Sequence, residues 1–272
     1  MKSRVEVLSS AACIVGESPV WLPARRELAM VDVHGQRVRR IDWATHAARD
    51  VVLDDRPGSV VGEADGSLTV FVGKSIRRLS PDGALTTLAA GLPLAGERFN
   101  DVRLGPDGWF WGGTFSRGRE AAFYRISPEG RLTELLSGVG NSNGIVWDAA
   151  RHFLYHVDTP CGTLTRYRYE DGTGALSERH VVRAFAPREG LPDGMCADGD
   201  GRLWVALWGA GRVACLDPAD GREVAALELP VSQPTCPAFA GDGLSTLVVT
   251  TAAHGRNLRE EPLAGATLAV EF

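Results

Sequence analysis

Two carboxylates and two carboxamides stand at the head of similar apolar runs, and together they could hold a hard cation. Glu17 lies in Gly-Glu-Ser-Pro, Asn100 in Phe-Asn-Asp, Asn143 in Ser-Asn-Gly and Asp193 in Pro-Asp-Gly. Oxygen donors of this kind, converging on one point, prefer Ca²⁺, Mg²⁺ or Mn²⁺, with Zn²⁺ also chemically reasonable. Without a cation the two carboxylates would repel each other, and one would take up a proton. Each motif alone is an ordinary turn sequence. The series is what carries information.

A repeat is what can bring these distant positions together. Candidate first strands begin near Glu17, Ser59, Asn100, Asn143, Asp193 and Cys236, at intervals of 42, 41, 43, 50 and 43 residues. After each comes a turn and a stronger strand, at 28–33, 68–73, 109–114, 153–158, 203–208 and 247–252. A third strand then ends near another turn. The one long interval contains a longer hairpin turn between Tyr169 and Ser177. Six copies at this period read as propeller blades. Closure into a ring hides the strand edges that an open array would expose. The expected architecture is an all-β, six-bladed β-propeller spanning 1–272 as a single domain, with residues 4–8 completing the last blade. The first strands of a propeller line its central channel and run the same way, so Glu17, Asn100, Asn143 and Asp193 should meet in one plane around the axis.

Bulk composition agrees with such a protein and excludes others. With 44% hydrophobic and 23% charged residues the chain can bury a core, and 32 glycines with 15 prolines imply many turns. A net charge of −5 without a basic run argues against nucleic acid. The charged N-terminus lacks the apolar segment of a signal peptide, and no run is long enough to span a bilayer, which points to a soluble cytoplasmic protein. Five cysteines without Cys-x-x-Cys spacing suggest neither a disulfide framework nor a thiolate zinc site. They read as small buried residues.

The chain resembles the senescence marker protein (regucalcin), gluconolactonase and luciferin-regenerating-enzyme family over nearly its whole length. The resemblance is carried by Gly16-Glu-Ser-Pro-Val-Trp21, Arg98-Phe-Asn-Asp101, Gly112-Gly-Thr114, Ser142-Asn-Gly144, Pro192-Asp-Gly194 with Leu203-Trp-Val-Ala206, and Pro262-Leu-Ala-Gly265. It implies a divalent-metal-dependent lactonase, taking Ca²⁺, Mg²⁺, Mn²⁺, Fe²⁺ or Zn²⁺, that opens a sugar lactone such as glucono-, xylono- or arabinonolactone. By the same resemblance Glu17, Asn143 and Asp193 are metal ligands, Asp193 is also the catalytic base, and Arg98 and Asn100 hold the substrate. A monomer or weak homo-oligomer is expected. The alternatives are a broader esterase or phosphotriesterase at the same site, and a calcium-binding propeller without turnover.

The sequence departs from the family after Gly-Thr, where relatives carry a longer loop with an acidic residue for the sugar. Here Phe115-Ser-Arg-Gly-Arg-Glu-Ala leads directly onward, so Arg117, Arg119 or Glu120 could sit at the rim and receive a charged substrate. Other polar residues read as structural. His156 and Asp158 share one face of a middle strand and are expected as a core pair. Cys196 is expected between blades, Trp21, Trp111, Trp147 and Trp204 as packing, and His34 and His254 near a rim.

Overall fold

Runs rich in Val, Leu, Thr and aromatic residues, cut by Gly-containing turns, favour short half-buried strands over helices. The computed structural model describes residues 4–10 and 12–271, and among them the chain forms 24 strands in six four-stranded antiparallel sheets. Positions 1–3 and 272, which the expected domain limits include, lie outside the described residues. Among the described residues helical structure is limited to four 3₁₀ turns of three residues, and no helix is long and apolar enough to cross a membrane. The sheets are the blades of a six-bladed propeller.

The innermost strands are Gly16–Leu22, Pro57–Gly62, Arg98–Leu104, Ser142–Asp148, Leu191–Ala197 and Pro234–Ala240. The second strands, Glu27–Asp32, Leu68–Val72, Phe110–Phe115, Phe153–Asp158, Leu203–Trp208 and Thr246–Thr251, fall within a residue or so of the expected positions. Whereas the outer strand of the sixth blade is the one expected from residues 4–8, the first five blades each have a fourth strand where the sequence showed three. These outer strands, such as Ala48–Val52 and Leu85–Ala89, are mostly solvent-facing and so lack the apolar signature of the inner ones.

Arg4–Ser9 pairs antiparallel with Thr267–Glu271 as the outer strand of the sixth sheet, so one blade is built from both ends of the chain. The seam is fastened again further in. The Cys13 N–H donates to Gly265 O at 2.9 Å, and Thr235 Oγ1 donates to Gly16 O at 2.6 Å. Gly265 has φ of +82°, and a Cβ there would lie 2.3 Å from Cys13 O. Only glycine suits that position of the Pro262–Gly265 motif.

Apolar packing lies between blades. One cluster joins Trp111 and Phe123 of the third blade to Ile145, Leu154 and Tyr169 of the fourth, and another joins Val157 and Leu164 to Met195 and Val205 of the fifth. Trp111 and Trp147 meet edge to face at 6.2 Å, as do Trp21 and Trp43 at 5.0 Å. The tryptophans are therefore packing residues that fix the blades, and with them the inner strands, against one another.

Candidate active site

Every innermost strand carries an irregularity at the same end. Register shifts fall between Glu17 and Val20, Pro57 and Ser59, Phe99 and Val102, Asn143 and Ile145, Pro192 and Met195, and Pro234 and Cys236. A bulge turns a side chain out of the strand's alternation. Here six of them ring the channel. Glu17 and Asn143 are the last paired residues before their bulges, opposite Val31 and Val157. Asn100 and Asp193 are one residue further, just after Phe99 and Pro192. The expectation of a single register is thus corrected: two positions one residue apart are used, and the bulge brings both to one cavity. Glycine makes the close approach feasible. A Cβ on Gly144 would lie 2.8 Å from Asp193 O, and one on Gly194 would lie 2.6 Å from Cys236 Cβ.

The cavity has a volume of about 370 Å³, and Glu17, Arg98, Asn100, Asn143 and Asp193 all line it. Asn143 and Asp193 are 3% and 7% exposed, so this end of the cavity is deep. The two are tied through one hydroxyl: Asn143 Nδ2 donates to Thr159 Oγ1, which donates to Pro192 O, both at 2.8 Å. Asn100 Nδ2 donates to Asn143 Oδ1 and to Ser142 O, each at 2.9 Å, and Asn100 Oδ1 accepts from Arg98 Nη1 at 2.8 Å. Both amide hydrogens of Asn100 are therefore spent within the protein. It links Arg98 to Asn143, and its oxygen keeps one lone pair for a ligand.

Glu17 accepts the Ser18 N–H at 3.0 Å, and neither Glu17 nor Asp193 forms an ion pair among the described residues. Burial, with the nearby Asp101 charge adding to it, raises Glu17 to about 8. Burial and then Glu17 hold Asp193 well above the usual carboxylate range. The sign of the linkage is clear: folding favours the protonated forms of these two groups, so without a cation their cost to stability is least at low pH and grows as pH rises through the raised values. Chelator-treated protein should lose thermal stability between about pH 5 and 8, and thermal melts across that range check it. Adding a divalent cation should abolish the trend.

No group of three or more His, Cys, Asp or Glu side chains is set to hold a metal among the described residues. The donors available are two carboxylates and the carboxamide oxygen of Asn143. A buried Asp193 and a half-buried Glu17, neither held in an ion pair among the described residues, beside an amide oxygen with a lone pair to give, suit a hard divalent cation.

Arg98 is buried, stacks over Phe115 at 4.8 Å, and makes neither of the ion pairs open to it with Glu97 or Asp101. Burial, reinforced by Arg56, lowers it to about 10. Of the three residues expected at the rim only Arg117 lines the cavity. Arg119 turns away to Cys161 Sγ at 2.9 Å and Gly138 O at 2.7 Å, and Glu120 bonds Ser116. His34 and His254 both line the cavity, their rings edge to face at 5.1 Å.

Some participants were invisible in the sequence. Arg103 reaches across the channel, donating to Ser18 Oγ and Cys236 Sγ at 3.2 Å each and pairing with Asp101 at 3.4 Å. Beyond that bar, further along the same six strands, lies a second cavity of about 430 Å³ lined mostly by residues such as Pro19, Val60, Ile145 and Met195. It holds no carboxylate. Asp101 was legible only as half of an Asn-Asp pair, and Arg103 and Thr159 gave no signal.

The expected His156–Asp158 core pair does not form. His156 is buried, bonds Ser142 Oγ at 2.8 Å rather than Asp158, and burial lowers it to about 4. Asp158 instead accepts the Gly140 N–H at 3.2 Å. Cys196 packs against the cluster around Trp204 and also faces the second cavity. All five cysteines are free, but Cys161 is exposed, against expectation.

Comparison with known proteins gives the same answer from another side. Residues 15–253 match the family described as the SMP-30/Gluconolactonase/LRE-like region. The chain belongs to this family. It is 31% identical over 267 residues to YvrE of Bacillus subtilis (strain 168), whose name assigns it provisionally to the sugar lactone lactonases; the match covers 95% of this chain and 91% of that one. It is 31% identical over 262 residues to regucalcin of Xenopus laevis, covering 93% and 88%. Among solved structures, a calcium-binding protein, regucalcin, of Agrobacterium tumefaciens superposes with a TM-score of 0.90 at 26% identity, covering 98% of this chain and 93% of that one. As an SMP-30/gluconolactonase propeller, the chain has only residues 116–120 between the strands Phe110–Phe115 and Ala121–Ile126.

Proposed function

We propose that this chain is a single-domain, divalent-metal-dependent lactonase that hydrolyses a sugar-derived lactone to its aldonic acid. The observation that carries the reading is the pair Glu17 and Asp193, two carboxylates without ion-pair partners in one cavity beside Asn143 and Arg98. Glu17, Asn143 and Asp193 would hold the cation. Bound there, it would polarise the lactone carbonyl and favour charge developing on its oxygen. Asp193 takes a proton from the attacking water as the new carbon–oxygen bond forms, and returns it to the ring oxygen as the ring bond breaks. Thr159 fixes the neighbouring strands that carry Asn143 and Asp193. Arg98, held by Phe99 O, Asn100 Oδ1 and the Phe115 ring, presents its remaining N–H groups to ring or hydroxyl oxygens.

Support comes from the family, whose members bear the names gluconolactonase and lactonase. An esterase acting on aryl groups would call for an apolar cavity with Arg98 turned away, and Arg98 lines it. Arg98→Ala is expected to raise KM by about tenfold or more with a smaller change in kcat, the signature of lost substrate binding. Initial rates against lactone concentration check it.

The reading is tested by measuring acid release from pentono- and hexonolactones with chelator-stripped protein given Mg²⁺, Ca²⁺, Mn²⁺, Fe²⁺ or Zn²⁺ in turn. Cation-dependent turnover of one lactone is the expected result. Tight cation binding without turnover of any would replace the enzyme with a binding protein.

A further inference from the structure

We propose that the lactone this site takes carries an oxyanion, a carboxylate or a phosphate, on the carbon chain remote from its ring carbonyl. This deepens the lactonase reading and rests on it. The cavity has a charge gradient. Glu17 and Asp193 lie at the deep end with the buried Arg98, whereas Arg56, half-buried, and Arg117, whose side chain is 84% exposed, line the same space toward the mouth.

None of these guanidiniums makes a close ion pair, as surface arginines of this protein usually do. Arg78 bonds Glu63 and Asp65, and Arg202 bonds Asp198. Arg56, by contrast, has no side-chain hydrogen bond or ion pair among the described residues; the neighbouring Asp55 carboxylate takes only the Arg56 backbone N–H, at 2.7 Å. Arg98 has its Nε buried without a partner. Arg117 meets Glu97 only at 3.9 Å, a carboxylate that also takes the Arg117 backbone N–H at 3.3 Å.

A neutral polyol needs acceptors as well as donors around its hydroxyls. Here Asn141 Oδ1, buried without a partner in the same lining, is one available acceptor, and the acid of the short loop, Glu120, is turned onto Ser116. Two guanidinium forks with N–H groups to spare, those of Arg56 and Arg117, suit the oxygens of a carboxylate or phosphate. The gradient also sets the orientation. An anionic group at the mouth stays away from Glu17 and Asp193, and it directs the ring carbonyl toward them.

The test compares kcat/KM of the cation-loaded protein for D-glucono-1,5-lactone, D-glucaro-1,4-lactone and 6-phospho-D-glucono-1,5-lactone. One of the two anionic lactones should exceed the neutral one by about tenfold to a hundredfold, the range of a charge-assisted hydrogen bond. The preference should shrink at high ionic strength. Which anion leads distinguishes carboxylate from phosphate. Arg56→Gln and Arg117→Gln should each lower the anionic-to-neutral ratio, a readout that general damage to the fold would not move. Equal or faster opening of the neutral lactone, or a ratio unchanged in both variants, overturns the proposal and leaves the lactonase reading standing. Failure to open any of the three removes both.

Discussion

Asp193→Asn is expected to lower kcat for lactone opening by about a thousandfold, the range set by loss of a positioned general base, while the propeller stays folded. Asn has the shape of Asp but cannot take a proton from water. The fold should tolerate it, because the Asp193 carboxylate sits buried near Glu17 and Asp101, and losing its charge removes a repulsion. Chelated Asp193→Asn protein should therefore melt at or above the temperature of the chelated wild type. Kinetics and melting curves on one preparation check both halves. Near-normal kcat would move the base to another group, and a collapsed melting transition would make the residue structural.

Glu17→Gln should act chiefly on the cation. The substitution keeps an acceptor for the Ser18 N–H and removes one of two charges from the donor set. Cation affinity is expected to fall by about tenfold to a hundredfold, the equivalent of one lost charged contact, with turnover recovering in part at high cation concentration. Stability without cation should again rise, because Glu17 lies in the same desolvated neighbourhood. Calorimetric titration of the stripped variant, set beside its melting temperature, reads the two opposing effects. Unchanged affinity would take Glu17 out of the coordination sphere.

Both substitutions fall on residues that the sequence marked, and the reason is their spacing. Six apolar hairpins with a polar residue at the head of four of them determine the propeller and name Glu17, Asn100, Asn143 and Asp193 together. The Gly144 and Gly194 that follow two of them record how closely neighbouring inner strands approach. What the spacing could not show is geometry made by bulges and by turns. Register counting put the four side chains at one level, whereas Asn100 and Asp193 lie one residue beyond their last paired position. Thr159 follows a strand of its blade with no sign in the sequence that its hydroxyl joins Asn143 to Pro192. Arg103 is one arginine among many in the chain, and only the folded channel carries it across to Ser18 and Cys236. The outer strands of the first five blades were missed for a simpler reason: exposed on most of their length, they have no core-facing pattern to read.

The most direct measurement is a titration of chelator-stripped protein with the activating cation while acid release from a sugar lactone is followed. Hydrolysis above the uncatalysed rate should be absent at the start, rise in proportion to added cation, and level off at one cation per chain. In Asp193→Asn the cation should still bind, though more weakly, without the rate following. Full activity in the stripped protein, or saturation of binding with no hydrolysis of any lactone, would contradict the account.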